Sequence, residues 1–273
     1  MSYTSADHTF VVCAYKESRY LEDCIKSLDA QTVKSNIIIT TATPCDFIDR
    51  IAEQHGVPVY VNGGEKGLGM DWNFGYSCAK TPIVTLAHQD DIYQPEYCKK
   101  ALLYINKSKH PLIFFTDYSE LRDKNVVHDN KLLRIKRFLL LPMRVGAFKK
   151  SRWVRRRALS FGCPICCPSV TFFSPNLPKV IFDKKYLSDA DWQAWEKFAK
   201  LKGDFLYYFS KPLMYHRVHE DSTTSSIIGN NQRTGEDFEM YCKFWPRFIA
   251  KMLIKPYSQS QKSNNTDSDY KHR

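Results

Sequence analysis

No stretch of this 273-residue chain comes near the roughly 18 consecutive apolar residues of a membrane-crossing helix. The most apolar run, residues 138–143, is short and flanked by Arg137 and Arg144. The opening MSYTSADHTFVVCAYKES lacks a basic stretch followed by a long apolar one, so it does not read as a secretory signal. Paired cysteine spacing is missing too. Nine cysteines, an odd number at irregular intervals, argue against a disulfide framework and for a reducing compartment. Cys163-Pro164-Ile165-Cys166 is a CxxC without the second pair a zinc site needs, so packed, reduced thiols are the plain reading beside a redox role. There is no internal repeat, zinc-finger spacing, recognition-helix pattern or RNA-binding aromatic motif, which argues against a nucleic-acid partner.

Acid is absent from one place in particular. Residues 131–160 carry eleven Lys or Arg and no Asp or Glu. The whole chain has a net charge of +11, so this segment accounts for the entire excess. A charge so concentrated suits an anionic partner. Leu132, Leu133, Ile135, Phe138 and Leu139 lie among the cations, which predicts a helix on an anionic membrane surface; the competing reading is a solvated basic face.

With 43% apolar and 25% charged residues, the chain has ample material for a core. The first 118 residues alternate strand and helix signals. Apolar or β-branched runs at 10–14, 37–41, 57–61, 83–87 and 112–116 predict strands. Helical spacing predicts helices at 20–28, 44–55 and 70–79. This rhythm implies an α/β fold with a mostly parallel sheet covered on both faces. Further strands are expected at 169–173, 205–209 and 213–218. Helices are expected at 190–201 and, long and aromatic-rich, at 235–254. Residues 1–257 read as one domain and the polar 258–273 as a disordered tail.

In Val84-Thr85-Leu86-Ala87-His88-Gln89-Asp90-Asp91 an apolar run ends in two adjacent acids. They fall just past the carboxyl end of a strand, where parallel sheets meet their ligands. Adjacent carboxylates repel, and a hard cation such as Mg²⁺ or Mn²⁺ removes that cost; a solvated turn is the simpler alternative.

The ordered set FVVCAYKESRYLEDCIKSLDAQ, IIITT, GLGMDWNFGYSCAKTPIVTLAHQDDIYQPEY, DADWQAWEKFAKLKG and YHRVHEDS, over residues 9–225, resembles the family 2 glycosyltransferases, which have the GT-A fold. The resemblance implies a nucleotide-binding half at 9–118 and an acceptor-side half at 119–225 that carries the basic segment 131–161. A C-terminal helix at 235–255 follows. For the donor nucleotide it implies Ala14, Tyr15 and Glu17 after the first strand, Thr41 at the end of the second, then Asp71, Asn73, Gln89 and Asp90. For the metal, Mn²⁺ or Mg²⁺, it implies Asp90, Asp91 and His219. Asp191 matches the base of inverting members, with Asp189 as a competitor and helix capping as the other reading. Ser169 and Trp192 fall on the acceptor side.

The chain departs from the family pattern at His88, which stands where the first acid of a DxD motif is usual. It departs again at Thr40-Thr41-Ala42-Thr43, where acids usually hold the base or ribose, and at Trp72, which replaces an Arg. The implied enzyme is bacterial, cytoplasmic and peripheral on the inner face of the plasma membrane. It would move a sugar, most simply from a UDP-sugar, to a glycan or lipid-linked acceptor. The alternatives are a nucleotidyltransferase on a related fold, for which Lys16 and Arg19 poorly replace a Gly-rich phosphate loop, and a non-catalytic membrane adaptor.

Overall fold

The computed structural model describes residues 2–219 and 232–262; the side chains of Gln232 and of 258–262 are outside that description. The main sheet is built around β1 (His8–Ala14), with β2 (Asn36–Thr41) and β4 (Ile83–His88) parallel on either side of it. β3 (Val59–Val61) extends it beyond β2. On the other flank β9 (Val170–Phe173) runs antiparallel between β4 and β6 (Pro111–Thr116), and β10 (Asp204–Tyr208) closes the edge parallel to β6. The order is β10-β6-β9-β4-β1-β2-β3.

Alternation along the strands divides the core in two, because successive side chains leave opposite faces of a sheet. Phe10, Val12 and Ala14 join one apolar layer; Val11 joins the other. The first layer is completed by α1 (Leu21–Asp29), α2 (Asp46–His55) and α4 (Tyr97–Asn106). Leu21, Cys24, Ile25 and Leu28 form the buried stripe of α1, as the helical spacing predicts. The second layer holds α3 (Leu68–Cys78), α6 (Arg152–Leu159) and α7 (Ala190–Ala199). Gly75 lets α3 lie tightly on the sheet: a Cβ there would meet Thr40 Oγ1 at 2.9 Å and Val11 Cγ1 at 3.0 Å.

A second sheet escapes the sequence reading apart from one strand. It orders β5 (Ile92–Tyr93), β11 (Met214–Val218), β7 (Tyr118–Arg122) and β8 (Asn125–Val127). Three of these strands are too short or too polar to show as apolar runs. β3 is likewise shorter than the expected 57–61.

The basic segment is not one surface helix. It folds as α5 (Lys131–Leu139), two 3-10 turns at Leu141–Arg144 and Gly146–Lys150, and then α6. Leu133, Leu140, Met143, Val154 and Leu159 are buried beneath it. Much of its charge is engaged internally. Arg155 is 1% exposed and donates to the Leu201 and Gly203 carbonyls, each at 2.7 Å. Arg156 pairs with Glu196, and both Arg134 and Arg137 pair with Asp129. Outward it shows Ile135, Phe138, Leu141, Val145, Phe148 and Trp153.

The expected helix at 235–254 is two helices, α8 (Gln232–Cys242) and α9 (Arg247–Lys262). Pro246, whose ring cannot continue the helix behind it, stands at the break. Of the expected tail at 258–273, residues 258–262 belong to α9, and 263–273 lie outside the described residues. No described helix is long and apolar enough to cross a membrane.

Candidate active site

A cavity of about 1460 Å³ is lined by residues that follow β1, β2 and β4, by the second sheet, and by segments at 163–168 and 187–191. A single-ligand pocket occupies roughly 300–1,000 Å³, so this one has room for two substrates. Ala14, Tyr15, Glu17, Thr41, Asp71, Gln89, Asp90, Asp91, Asp191 and His219, singled out from the sequence, all line it.

The wall after β1 to β4 is held by side-chain hydrogen bonds. Gln89 clasps Tyr15 twice, accepting from its amide and donating to its carbonyl, both at 3.0 Å. This fixes the loop at the end of β1 to the end of β4. Lys16 takes the left-handed conformation, at φ 54°, and its amide donates to Thr43 Oγ1 at 2.6 Å. Thr41 Oγ1 accepts from the Thr43 amide at 3.0 Å. The threonines that replace the family's acids therefore brace the loop. Asp71 accepts from Asn62 Nδ2 at 2.7 Å and ties the 62–67 loop to the start of α3. Trp72, in place of the family's Arg, stacks on His88 with ring centres 4.9 Å apart. His88, in place of an acid, is half-buried in the cavity wall, and desolvation there lowers its pKa.

Asn73 is a correction. Its amide donates to the Phe182 carbonyl at 2.8 Å and accepts from the Ile181 and Phe182 amides at 2.9 and 3.0 Å. Its hydrogen-bonding capacity goes to pinning that segment to α3, and it does not line the cavity.

The adjacent acids are parted by their environments. Asp90 faces the cavity, with Oδ1 accepting from Ser18 Oγ at 2.9 Å and Oδ2 lying 3.3 Å from His219 Nε2. Asp91 is 1% exposed and turns toward β11. Its Oδ1 takes the Arg217 amide at 2.9 Å and His216 Nδ1 at 3.0 Å. Burial works against charge on His216, but the Asp91 carboxylate outweighs it and the imidazole pKa is raised. Asp91 Oδ1 thus anchors β11, while its Oδ2, buried on a residue that lines the cavity, has no hydrogen-bond partner among the described residues. Arg217 reaches back to the Asp90 carbonyl at 2.8 Å. These bonds bring the second sheet against the end of β4.

Asp90 and His219 suit a hard cation, which commonly takes one or two protein ligands plus substrate phosphates. Among the described residues no group of three or more His, Cys, Asp or Glu forms a self-sufficient cage.

On the other wall, Asp191 sits in the first turn of α7. Its Oδ1 accepts from the Trp192 amide at 2.7 Å, and its Oδ2 from the Cys163 thiol at 3.5 Å. Burial raises its pKa, against the pull of the Trp192 amide and of Lys136. Asp189 is more deeply buried, and its pKa is raised well above the usual range by burial and then by Asp237. The Asp237 carboxyl is itself pushed up to about 6, chiefly by burial. Glu236 accepts the amides of Leu187, Ser188 and Asp189 and so holds the approach to α7. Asp191 carries the more accessible carboxylate of the α7 start and takes the Trp192 amide of its first turn, while Glu236 gathers the amides that precede the helix.

Ser169 and Trp192 are also corrections. Ser169 is fully buried, and its hydroxyl donates to the Cys166 carbonyl at 2.7 Å inside a 3-10 turn. Trp192 is fully buried and donates to the Leu159 carbonyl at 3.0 Å. One step along a helix from Asp191 turns a side chain by about 100°, from cavity to core. This side of the cavity is lined instead by Tyr118, Glu120, Leu132, Lys136, Cys163 and Cys166. Sequence reading missed Lys136 and His216. The i, i+4 spacing of Leu132 and Lys136 on α5 is the one signal that pairs Lys136 with an inward residue.

Comparison with known proteins agrees with this geometry. The family model described as glycosyl transferase family 2 matches residues 9–168, more than half of the chain. An uncharacterized glycosyltransferase of Rickettsia bellii is 22% identical over 255 residues, covering 89% of this chain but 33% of its own length. The chain therefore spans about a third of that relative. An uncharacterized glycosyltransferase of Haemophilus influenzae is 21% identical over 241 residues, covering 81% of this chain and 68% of its own length. Among solved structures, S. aureus TarS 1-349 in complex with UDP-GlcNAc has a TM-score of 0.61 at 14% identity, covering 93% of this chain and 72% of that one. Mannosyltransferase PcManGT from Pyrobaculum calidifontis, in complex with GDP-Man and Mn²⁺, has a TM-score of 0.62 at 13% identity, with coverage of 96% and 74%. At these identities the structural likeness concerns the fold alone. With the family match over residues 9–168 and the sheet order described above, the chain belongs to glycosyl transferase family 2 and has the GT-A fold.

Proposed function

We propose that this chain is an inverting, metal-dependent glycosyltransferase that moves a sugar from a nucleotide donor to a hydroxyl of a surface-glycan acceptor. The observation that carries this reading is one cavity lined by a braced loop after β1, by Asp90 with His219, and by the raised carboxyl of Asp191. The complexes of the structural neighbours with UDP-GlcNAc and GDP-Man support a nucleotide-sugar donor, and the Mn²⁺ in one of them supports a divalent cation. A UDP-sugar is our working choice of donor.

In this reading Tyr15, Thr43 and the Asn62–Asp71 tie shape the nucleotide side. Asp90 and His219 would hold Mn²⁺ or Mg²⁺, which when bound neutralises charge on the departing diphosphate. Asp191 takes the proton of the acceptor hydroxyl. The hydroxyl oxygen then bonds to the anomeric carbon as the bond to the diphosphate breaks, which inverts that centre. The single proton of the Cys163 thiol is within reach of both the Ile165 carbonyl at 3.4 Å and Asp191 Oδ2 at 3.5 Å, and burial raises the thiol pKa, so it stays protonated beside the base.

We place the enzyme in the cytoplasm, on the inner face of the plasma membrane. Phe138, Phe148 and Trp153 project from the basic segment, and Lys131, Lys150 and Arg152 belong to the same segment. That combination suits an anionic bilayer and a lipid-linked acceptor.

The test is thermal stability against a panel of nucleoside diphosphates, with and without Mn²⁺. A shift that needs both one nucleotide and the metal, and is lost in Asp90→Ala, is the expected result. No shift with any nucleotide would overturn the reading in favour of an adaptor.

A further inference from the structure

Lys136 differs from the other cations of its segment. Its helix-mates Arg134 and Arg137 turn to Asp129. Of the eleven basic residues at 131–160, Lys136 is the one that lines the cavity, beside Leu132 from the previous turn of α5. Its ammonium has three hydrogens. One goes to Tyr118 Oη at 2.9 Å, and the ammonium lies 5.2 Å from the centre of the Tyr118 ring. No carboxylate ion pair reaches it among the described residues. The surrounding wall is Tyr118, Leu132, Cys163, Cys166 and Glu120, whose carboxylate is paired with Arg122 at 3.0 Å.

A half-buried ammonium without a counter-ion loses hydration and gains little in return. A cavity wall that keeps one is suited to an anion arriving with a substrate. Tyr118 strengthens the case. Its oxygen accepts from Lys136, which leaves its own O–H free to donate to the same anion.

Two anionic substrates could meet Lys136, the donor diphosphate or a charged acceptor. The elements that supply the wall favour the acceptor. The loop braces of the donor side come from the ends of β1, β2, β4 and α3. Lys136 comes from α5, and its charge acts on Asp191, Cys163 and Cys166 around the proposed base as well as on His216 beside Asp91, so it is its place on α5, away from the donor-side loops, that assigns it to the acceptor. Resting on the glycosyltransferase reading, we propose that Lys136 and the Tyr118 hydroxyl form a subsite for a phosphate group carried by the acceptor. The acceptor thus carries a phosphate, held by α5 while its hydroxyl is presented to Asp191. The same phosphate chemistry could come from a polymer of phosphodiester units or from a lipid-linked phosphate.

The experiment measures glycerol phosphate binding by calorimetry to the full chain preloaded with UDP and Mn²⁺, with glycerol as the uncharged control. Wild type binds glycerol phosphate and not glycerol. Lys136→Met weakens that binding at least tenfold, while UDP affinity stays within twofold. Lys136→Arg retains most of the binding, and Tyr118→Phe weakens it about threefold. The Arg and Phe variants keep the test open if the Met variant does not fold. If wild type fails to bind glycerol phosphate, or if Lys136→Met weakens UDP as much as it weakens glycerol phosphate, the proposal is overturned. Failure of the broader reading looks different: wild type then binds no nucleoside diphosphate at all, whatever Lys136 does. Vesicles doped with a polyprenyl phosphate form a second arm. A Lys136-dependent gain over glycerol phosphate identifies the lipid-linked source, and equal affinity identifies the soluble polymer.

Discussion

The two walls of the cavity are built on different physics. The wall proposed for the donor is a set of hydrogen-bonded clasps, Gln89 on Tyr15, Thr43 on Lys16 and Asn62 on the Asp71 carboxylate. The opposing set, Asp189, Asp191, Cys163 and Lys136, consists of ionisable groups withdrawn from water, with the pKa of both acids raised. In the proposed reading one wall shapes a ligand and the other holds a proton acceptor. Hydrogen-bonded loops preorganise at modest cost, whereas buried ionisable groups are costly and cluster where chemistry needs them.

If that division is right, the walls break differently. Asp191→Asn should cost roughly 100–10,000-fold in kcat, the usual range for loss of a general base, while the melting shift with nucleotide and Mn²⁺ survives. The pH profile sharpens this. A base must be deprotonated, and burial raises the Asp191 pKa, so kcat/KM should fall as pH drops through a value above the ordinary Asp value of about 3.9. A limb at or below that value would show that Asp191 is not the group seen. Asp90→Ala should lose the metal-dependent melting shift and about 100-fold or more in activity, the mirror image of Asp191→Asn. Phe138→Asp with Trp153→Asp should weaken binding to anionic vesicles about tenfold, from the lost burial of two aromatic side chains, and leave nucleotide binding unchanged in solution. The smallest effect is Gln89→Ala. It removes two neutral hydrogen bonds, each worth about 0.5–1.5 kcal/mol, and should raise the donor KM a few-fold with little change in kcat. A large kcat loss in Gln89→Ala would erase the distinction between the walls.

How much of this was legible in the sequence follows the same line. The parallel strands and the helices α1, α2 and α3 were legible because apolar runs and helical spacing are written into the sequence, whereas α4 at Tyr97–Asn106 went unread. So were the cavity positions in loops after strands, such as Tyr15, Gln89 and Asp90. What was not legible is which way a side chain faces once a motif is placed. Asn73, Ser169 and Trp192 adjoin true cavity residues, yet each spends its polar atoms inside the protein. Asp91 turns to β11, a strand whose partner β7 is too polar to be seen as one. His216 and Lys136 emerge only when strands and helices distant in sequence converge.

The C-terminal helices carry a consequence for how this domain can be cut. Tyr241 and Tyr257 bracket Trp192, with ring centres 5.2 and 5.6 Å away, and Tyr257 also lines the cavity. A truncation at residue 225, where the motif set ends, would strip both tyrosines from the floor beneath Asp191. It would also remove the Glu236 carboxylate that gathers the amides before α7. A minimal active fragment must therefore extend through Tyr257, and a fusion partner is better attached at the other end of the chain.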